Sequence, residues 1–112
     1  MSGLLEWAVL SIGGEADLVA APALRARLLD ATSQPPAFVV LDLTDLTFID
    51  SSGLGVLVGT LRRVRDGGGE VRLAGASAGV RRVLSVTGLD TVFQVFDTVD
   101  DACDTPPDHA VN

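Results

Sequence analysis

Residues 38–74 read FVVLDLTDLTFIDSSGLGVLVGTLRRVRDGGGEVRLA, and this stretch contains the clearest strand and helix patterns of the chain. It begins with an unbroken apolar and β-branched run at residues 38–43, which is typical of a central strand covered on both faces. From Leu54 onward, apolar residues recur at i, i+3, i+4 and i+7, which predicts a helix over residues 52–65. Three consecutive glycines end that helix, and a further strand follows at residues 71–74. A strand, a helix and a strand in this order predict an α/β fold.

The alternation of strands and helices continues on both sides of this segment. The predicted elements outside it are a strand around Trp7 and Val9, a short strand or turn at residues 15–18, a helix at Ala21–Ala31, a helix at residues 80–87 ended by Gly88, a strand at residues 92–96 and a short helix at Val99–Cys103. Helices placed between strands in this way are expected to pack on a partly parallel sheet.

The length and charge of the chain restrict its class. At 112 residues it has the size of one domain. Its net charge is −7, with eight Arg and no Lys, which argues against nucleic acid as a partner because phosphates are neutralised by clustered cations. The short Arg groups at residues 62–65 and 81–82 are interpreted as solvated helix faces, with a patch for an acidic protein as the alternative.

Most catalytic chemistries lack their residues in this sequence. Cys103 is the one cysteine, so neither an internal disulfide nor a cysteine metal site is expected. His109, the one histidine, lies in a polar tail, and without Lys the P-loop and Schiff-base signatures are excluded. No apolar run has the length of a membrane span and no signal peptide is recognisable, so we expect no membrane insertion and a cytoplasmic location.

The step DSSG at residues 50–53 is the most unusual part of the chain. Asp50, Ser51 and Ser52 are all good helix caps, but Gly53 and Gly55 each cost up to about 1 kcal/mol in a helix interior. The glycine spacing does not fit a dinucleotide fingerprint, and the serines lack the flanking glycines of a nucleophile elbow. A hydroxyl displayed to another protein at a helix N-terminus fits better, and the residues alone do not choose between the two serines.

Four segments together resemble the STAS domain, specifically the bacterial anti-sigma factor antagonists. They are GEAD at residues 14–17, VLDL at 40–43, FIDSSGLG at 48–55 and TGL at 87–89. The resemblance implies a STAS-type sandwich, with a mixed sheet of four or five strands and helices packed on one side. It places the STAS domain at residues 1–103 and leaves residues 104–112 as a flexible C-terminal tail.

The resemblance also implies a function without catalysis, cofactor or metal. The unphosphorylated protein would bind an anti-sigma factor that is also a serine kinase and so release its sigma factor. By position, Ser51 would be the phosphoacceptor, and a serine phosphatase would reverse the modification. The implied partner-binding residues are Asp17, Asp50, Ser51, Ser52, Gly53, Leu54 and Gly55. The alternatives are an accessory subunit of a lipid-transport ABC complex, a member of a stress-signalling assembly and, in a different class, a nucleotide-binding enzyme.

Overall fold

The computed structural model describes residues 7–107 of the chain. Within that range, strands and helices alternate as the hydrophobic pattern predicts, so the α/β class is confirmed. The elements in chain order are β1 (Ala8–Ser11), β2 (Gly14–Ala16), α1 (Ala21–Ala31), β3 (Phe38–Asp42), β4 (Leu46–Ile49), α2 (Ser51–Asp66), β5 (Glu70–Ala74), α3 (Ala78–Val86), a 3-10 helix (Leu89–Thr91), β6 (Gln94–Phe96) and α4 (Val99–Cys103).

Four strands form the main sheet in the order β1-β3-β5-β6. Every pairing in it is parallel, with Val40 of β3 opposite Arg72 of β5. The expectation of a mixed sheet is therefore corrected for residues 7–107. The reason is that a helix separates each strand of this sheet from the next, and such a crossover returns the chain to the same end of the sheet.

A second, two-stranded sheet joins β2 to β4, again in parallel. The sequence predicted β2 as a strand or a turn and did not predict β4. In β4 the burial pattern is buried, exposed, exposed, buried, because Thr47 and Phe48 both face solvent between Leu46 and Ile49. A strand without alternating burial has no period-two signal, which is why the pattern did not reveal it.

The main hydrophobic core lies between the four-stranded sheet and helices α1, α2 and α3. Val39 and Leu41 of β3 point into it, since alternate residues of a strand share a face. The predicted inner residues of the helices also lie there and are almost fully buried, including Leu28 of α1, Leu57 of α2 and Leu84 of α3. In contrast, Leu29 of α1 is 46% exposed.

Helix α4 packs on the opposite face of the sheet. Val40, Ala74 and Ala102 form a separate small cluster there, which corrects the expectation that the helices lie on one side only. On the same face lies Arg72, whose side chain is 1% exposed and is flanked by the rings of Trp7 and Phe96, 4.2 Å and 5.2 Å from the guanidinium carbon. A buried cation has to be paired, and its partners determine how the C-terminal segment runs.

The guanidinium of Arg72 holds the C-terminal segment on the sheet. Its Nε donates to Glu70 Oε2 at 2.8 Å, and its Nη1 donates to the carbonyls of Ala102 and Thr105, each at 2.8 Å. Its Nη2 donates to the carbonyl of Pro106 at 2.9 Å. Residues 104–107 of the expected flexible tail therefore pack on the domain, whereas residues 108–112, with His109, lie outside the described residues.

Candidate functional site

Asp50 caps helix α2. Its backbone is extended, with φ −113° and ψ −172°, and its Oδ1 accepts from the N–H of Ser52 at 2.9 Å and of Gly53 at 3.2 Å. These two donors have no partner within the helix, and a carboxylate beside them also complements the helix dipole. The helix consequently begins at Ser51, one residue before the predicted start, and neither serine serves as the cap.

The second carboxylate oxygen of Asp50 forms a hydrogen bond that links the β2–α1 connection to the N-terminus of α2. Asp50 Oδ2 accepts from the N–H of Leu18 at 3.2 Å. In the same connection, Asp17 Oδ1 accepts from the N–H of Ala20 at 2.9 Å. The predicted site residues Asp17 and Asp50, which are 33 positions apart, are thus brought to one surface beside Ser51.

Ser51 is the first residue of α2, and its side chain is exposed. Within residues 7–107 its hydroxyl has no hydrogen-bond partner, because the neighbouring capping position is already filled by Asp50. Ser52 is half-buried, and its N–H is one of the two bound by Asp50. The structure therefore distinguishes the two serines by exposure.

The two glycines of the motif differ in their surroundings. A Cβ on Gly53 would overlap the carbonyl oxygen of Ala16 and lie 2.9 Å from the Ala16 Cβ, so this glycine allows α2 to approach β2. A Cβ on Gly55 would meet nothing within 4 Å. A Cβ on Gly59, one turn further along α2, would also meet nothing within 4 Å, so close helix packing does not explain this glycine.

Two of the seven predicted partner-binding residues are buried and therefore not available at the surface. Gly53 is buried against β2, and Leu54 is 8% exposed and belongs to the hydrophobic core. The residues of the set with accessible side chains or backbone are Asp17, Asp50, Ser51, Ser52 and Gly55.

Two exposed apolar residues next to this set were not predicted as site residues. Leu18 is 73% exposed and Val19 is 88% exposed, in the connection that Asp50 fastens to α2. Adjacent exposed aliphatic side chains beside a polar site are typical of protein contact surfaces. The sequence contains only a weak signal for them: Leu18 ends the segment predicted as a strand or turn, and Val19 follows it outside any periodic pattern. We call Asp17, Leu18, Val19, Asp50, Ser51 and Gly55 the Ser51 surface.

A small cavity of about 140 Å³ lies next to the Ser51 surface, bordered by Ile12, Ala16 and Leu24. It is smaller than the roughly 300–1,000 Å³ of pockets that hold cofactors or drug-sized ligands. Among residues 7–107, no three metal-ligating side chains come together. No helix in the described part of the chain has the length and apolar character needed to cross a bilayer.

Comparisons with known proteins agree with this architecture. The family model of the STAS domain matches residues 3–102. Anti-sigma-F factor antagonist RsfB of Mycobacterium tuberculosis is 37% identical over 97 residues, which cover 85% of this chain and 77% of RsfB. The anti-sigma-B factor antagonist of Bacillus subtilis is 36% identical over 86 residues, which cover 77% of this chain and 78% of that protein.

Solved structures give the same result. The anti-sigma factor antagonist SpoIIAA in its unphosphorylated form superposes with a TM-score of 0.74 at 28% identity, covering 93% of this chain and 90% of SpoIIAA. SpoIIAA of Bacillus in its phosphorylated form gives a TM-score of 0.67 at 28% identity, covering 93% of this chain and 94% of SpoIIAA. The predicted STAS-type sandwich is confirmed, with the two corrections described above.

Proposed function

The chain belongs to the STAS domain family, and on that premise we propose that it is an anti-sigma factor antagonist. In its unphosphorylated form it binds an anti-sigma factor that is also a serine kinase, and the bound sigma factor is released. The kinase phosphorylates Ser51 with ATP and thereby ends the interaction. The names of the relatives support the regulatory role, since RsfB and the Bacillus subtilis protein are both called antagonists of anti-sigma factors.

The observation that carries the proposal is the exposed, unpartnered hydroxyl of Ser51. It stands at the start of a 16-residue helix, between the carboxylate of Asp50 and the open space at Gly55. A kinase has to bring its own groups close to the acceptor hydroxyl, and the missing side chain at Gly55 leaves room for this approach. Leu18 and Val19 supply apolar contact area for the same partner.

Phosphorylation at this position would change the surface more than the fold. Asp50 already accepts the N–H groups of Ser52 and Gly53, so a phosphate on Ser51 would project into solvent without replacing them. It would add about −1.5 to −2 charge near the carboxylates of Asp17 and Asp50. A partner that fits the neutral hydroxyl would then face a desolvated anion, and its affinity would fall.

The remaining components follow from the same scheme. A serine phosphatase regenerates the binding form, and the exchange takes place in the cytoplasm, where sigma factors act. The ATP belongs to the kinase, so we assign this chain neither a cofactor nor a catalytic step.

Release of sigma factor from its complex tests the proposal. The protein would be titrated into a preformed complex of the anti-sigma factor kinase and sigma factor from the same organism, without ATP. We expect wild type and Ser51→Ala to release sigma factor equally. Ser51→Asp should require at least tenfold more protein, because it places a permanent carboxylate beside Asp17 and Asp50.

The matched control is Ser85→Asp, which adds the same charge at an exposed serine of α3. It should behave as wild type. Equal release by Ser51→Asp and Ser51→Ala would contradict the charge argument. Failure of the wild type to release sigma factor, with co-purification of a transporter ATPase instead, would favour the accessory-subunit alternative.

A further inference from the structure

A larger cavity lies at the other end of α2, between the C-terminal parts of α1 and α2. Its volume is about 370 Å³, within the range of small-molecule pockets. Most of its wall is apolar and comes from Leu29, Pro35, Ala37 and Val64. The polar side chains that line it include Arg63 and Thr32.

Arg63 is held in the wall of this cavity by a short chain of hydrogen bonds. Its Nη2 donates to Thr32 Oγ1 at 2.7 Å, and that hydroxyl donates to the carbonyl of Leu28 at 2.6 Å. Thr32 is only 9% exposed, so the guanidinium is tied to a fixed point in the protein interior. The side chain of Arg65 does not line the cavity; its Nη2 donates to the carbonyl of Val92 at 3.0 Å.

The charge of Arg63 is not neutralised by any carboxylate of residues 7–107. Within residues 7–107, two other arginines do form ion pairs: Arg72 with Glu70 and Arg81 with Asp97. The bond to Thr32 uses one N–H of the guanidinium, and the structure gives its remaining donors no partner within the described residues. A half-buried, oriented cation beside an apolar cavity is complementary to an anion with an apolar body.

We propose that this cavity, which we call the Arg63 cavity, binds a small amphiphilic carboxylate. The carboxylate accepts from the free guanidinium donors of Arg63, and the aliphatic part lies against Leu29 and Val64. At roughly 30 Å³ for each water-sized group, the volume accommodates about a dozen non-hydrogen atoms. Octanoate, with about ten, is a suitable probe.

Four carbonyls at the two helix ends already accept hydrogen bonds, which reduces the negative potential that they present to an anion. The carbonyls of Arg63, Val64 and Arg65 accept from the N–H groups of residues 67–69. At the end of α1, the carbonyl of Leu28 accepts from the N–H and the hydroxyl of Thr32. Among the residues that line the cavity, Arg63 is the one with a charged side chain.

The Arg63 cavity is independent of the proposed switch. Twelve residues of helix separate Arg63 from Ser51, which corresponds to about 18 Å along the axis. Occupancy of the cavity can be tested without any anti-sigma factor, so the two proposals fail separately.

Titration followed by amide chemical shifts tests the inference. The ¹⁵N-labelled protein would be titrated with octanoate, with octanol and with acetate. We expect saturable shifts at Thr32, Ser33 and Gly67 with octanoate, and binding at least tenfold weaker with octanol or acetate. Amides of residues 51–55 should not move.

Arg63→Gln and Arg62→Gln each remove one positive charge from α2, so comparing them distinguishes a specific carboxylate site from general electrostatic attraction of octanoate. Arg63→Gln should weaken octanoate binding at least tenfold, Arg63→Lys should recover part of it, and Arg62→Gln should leave it unchanged because Arg62 is exposed and outside the cavity wall. Spectra of the free variants report whether the fold is intact. Equal binding of octanol and octanoate, equal effects of the two Gln variants, or no saturable shift in wild type would each overturn the inference.

Discussion

Gly53 and Gly55 lie two residues apart at the start of α2, yet they serve different purposes. Gly53 is required for packing, because α2 approaches the backbone of Ala16 at that point. Gly55 faces open space and has an ordinary helical backbone, so its lack of a side chain contributes nothing to the packing seen here. Gly53 is therefore needed for the fold, whereas Gly55 is accessible to another protein.

Alanine substitutions at the two glycines are expected to have opposite effects on stability. Gly53→Ala should lower the free energy of unfolding by about 1–3 kcal/mol, the usual cost of overpacking. Gly55→Ala should leave it unchanged or raise it by up to about 1 kcal/mol, because Ala has the higher helix propensity. Urea denaturation monitored by circular dichroism measures both. Similar stability of the two variants would contradict the assigned packing role of Gly53.

Asp50 shows how one side chain can serve both fold and site. Its carboxylate caps α2 through Ser52 and Gly53, and it also positions Leu18. It is therefore a positioning residue for the Ser51 surface, and its carboxylate lies beside the proposed phosphoacceptor, Ser51.

At the scale of elements, the contact that ties the C-terminal segment to the sheet depends on Arg72. This side chain links β5 to α4 and to the backbone of Thr105 and Pro106, and it lies over the ring of Trp7. Burial, followed by the charge of Asp100, raises the pKa of the Cys103 thiol in α4 above its usual value. The thiol is consequently neutral at pH 7, as expected for a cysteine packed within this segment.

Replacing Arg72 should release the C-terminal segment. Arg72→Met breaks the buried ion pair with Glu70 and removes the donor to three backbone carbonyls, so we expect a loss of about 3–5 kcal/mol in the free energy of unfolding. Trp7 is the one tryptophan of the chain, and its Nε1 donates to the carbonyl of Thr105 at 3.3 Å. Its fluorescence should therefore shift to longer wavelength in the variant under native conditions.

The control for this substitution is Arg81→Met, which removes an exposed ion pair with Asp97. It should cost no more than about 1 kcal/mol and leave the Trp7 emission unchanged. Identical emission and stability of the two variants would show that Arg72 does not hold the C-terminal segment.

The hydrophobic pattern predicted those elements that bury a regular face. The central strand β3 and helices α1 to α3 were predicted within a few residues, because their inner side chains repeat with the period of the element. Strand β4 was missed because two adjacent residues in it are exposed. The residues of α4 were predicted, but the face of the sheet on which α4 packs was not, since this depends on long-range bonds from Arg72 that no local pattern encodes. Likewise, Leu18 and Val19 join the site only through the bond to Asp50.

For the whole molecule, α2 separates two surfaces of different character. The Ser51 surface at its N-terminus carries carboxylates and exposed aliphatic side chains, and the Arg63 cavity at its other end carries an unpaired cation. Ser51 is exposed and lies outside the hydrophobic core. A charge added at Ser51 is therefore expected to alter partner binding while the fold remains intact.

The position of the phosphate shows whether Ser51 is the residue that the kinase modifies. The protein would be incubated with the anti-sigma factor kinase of its own organism and ATP, then digested and mapped by mass spectrometry, with Ser51→Ala in parallel. We expect one phosphate, on Ser51, and none on the Ser51→Ala variant. A phosphate on Ser52 or elsewhere, or no phosphate on the wild type, would contradict it.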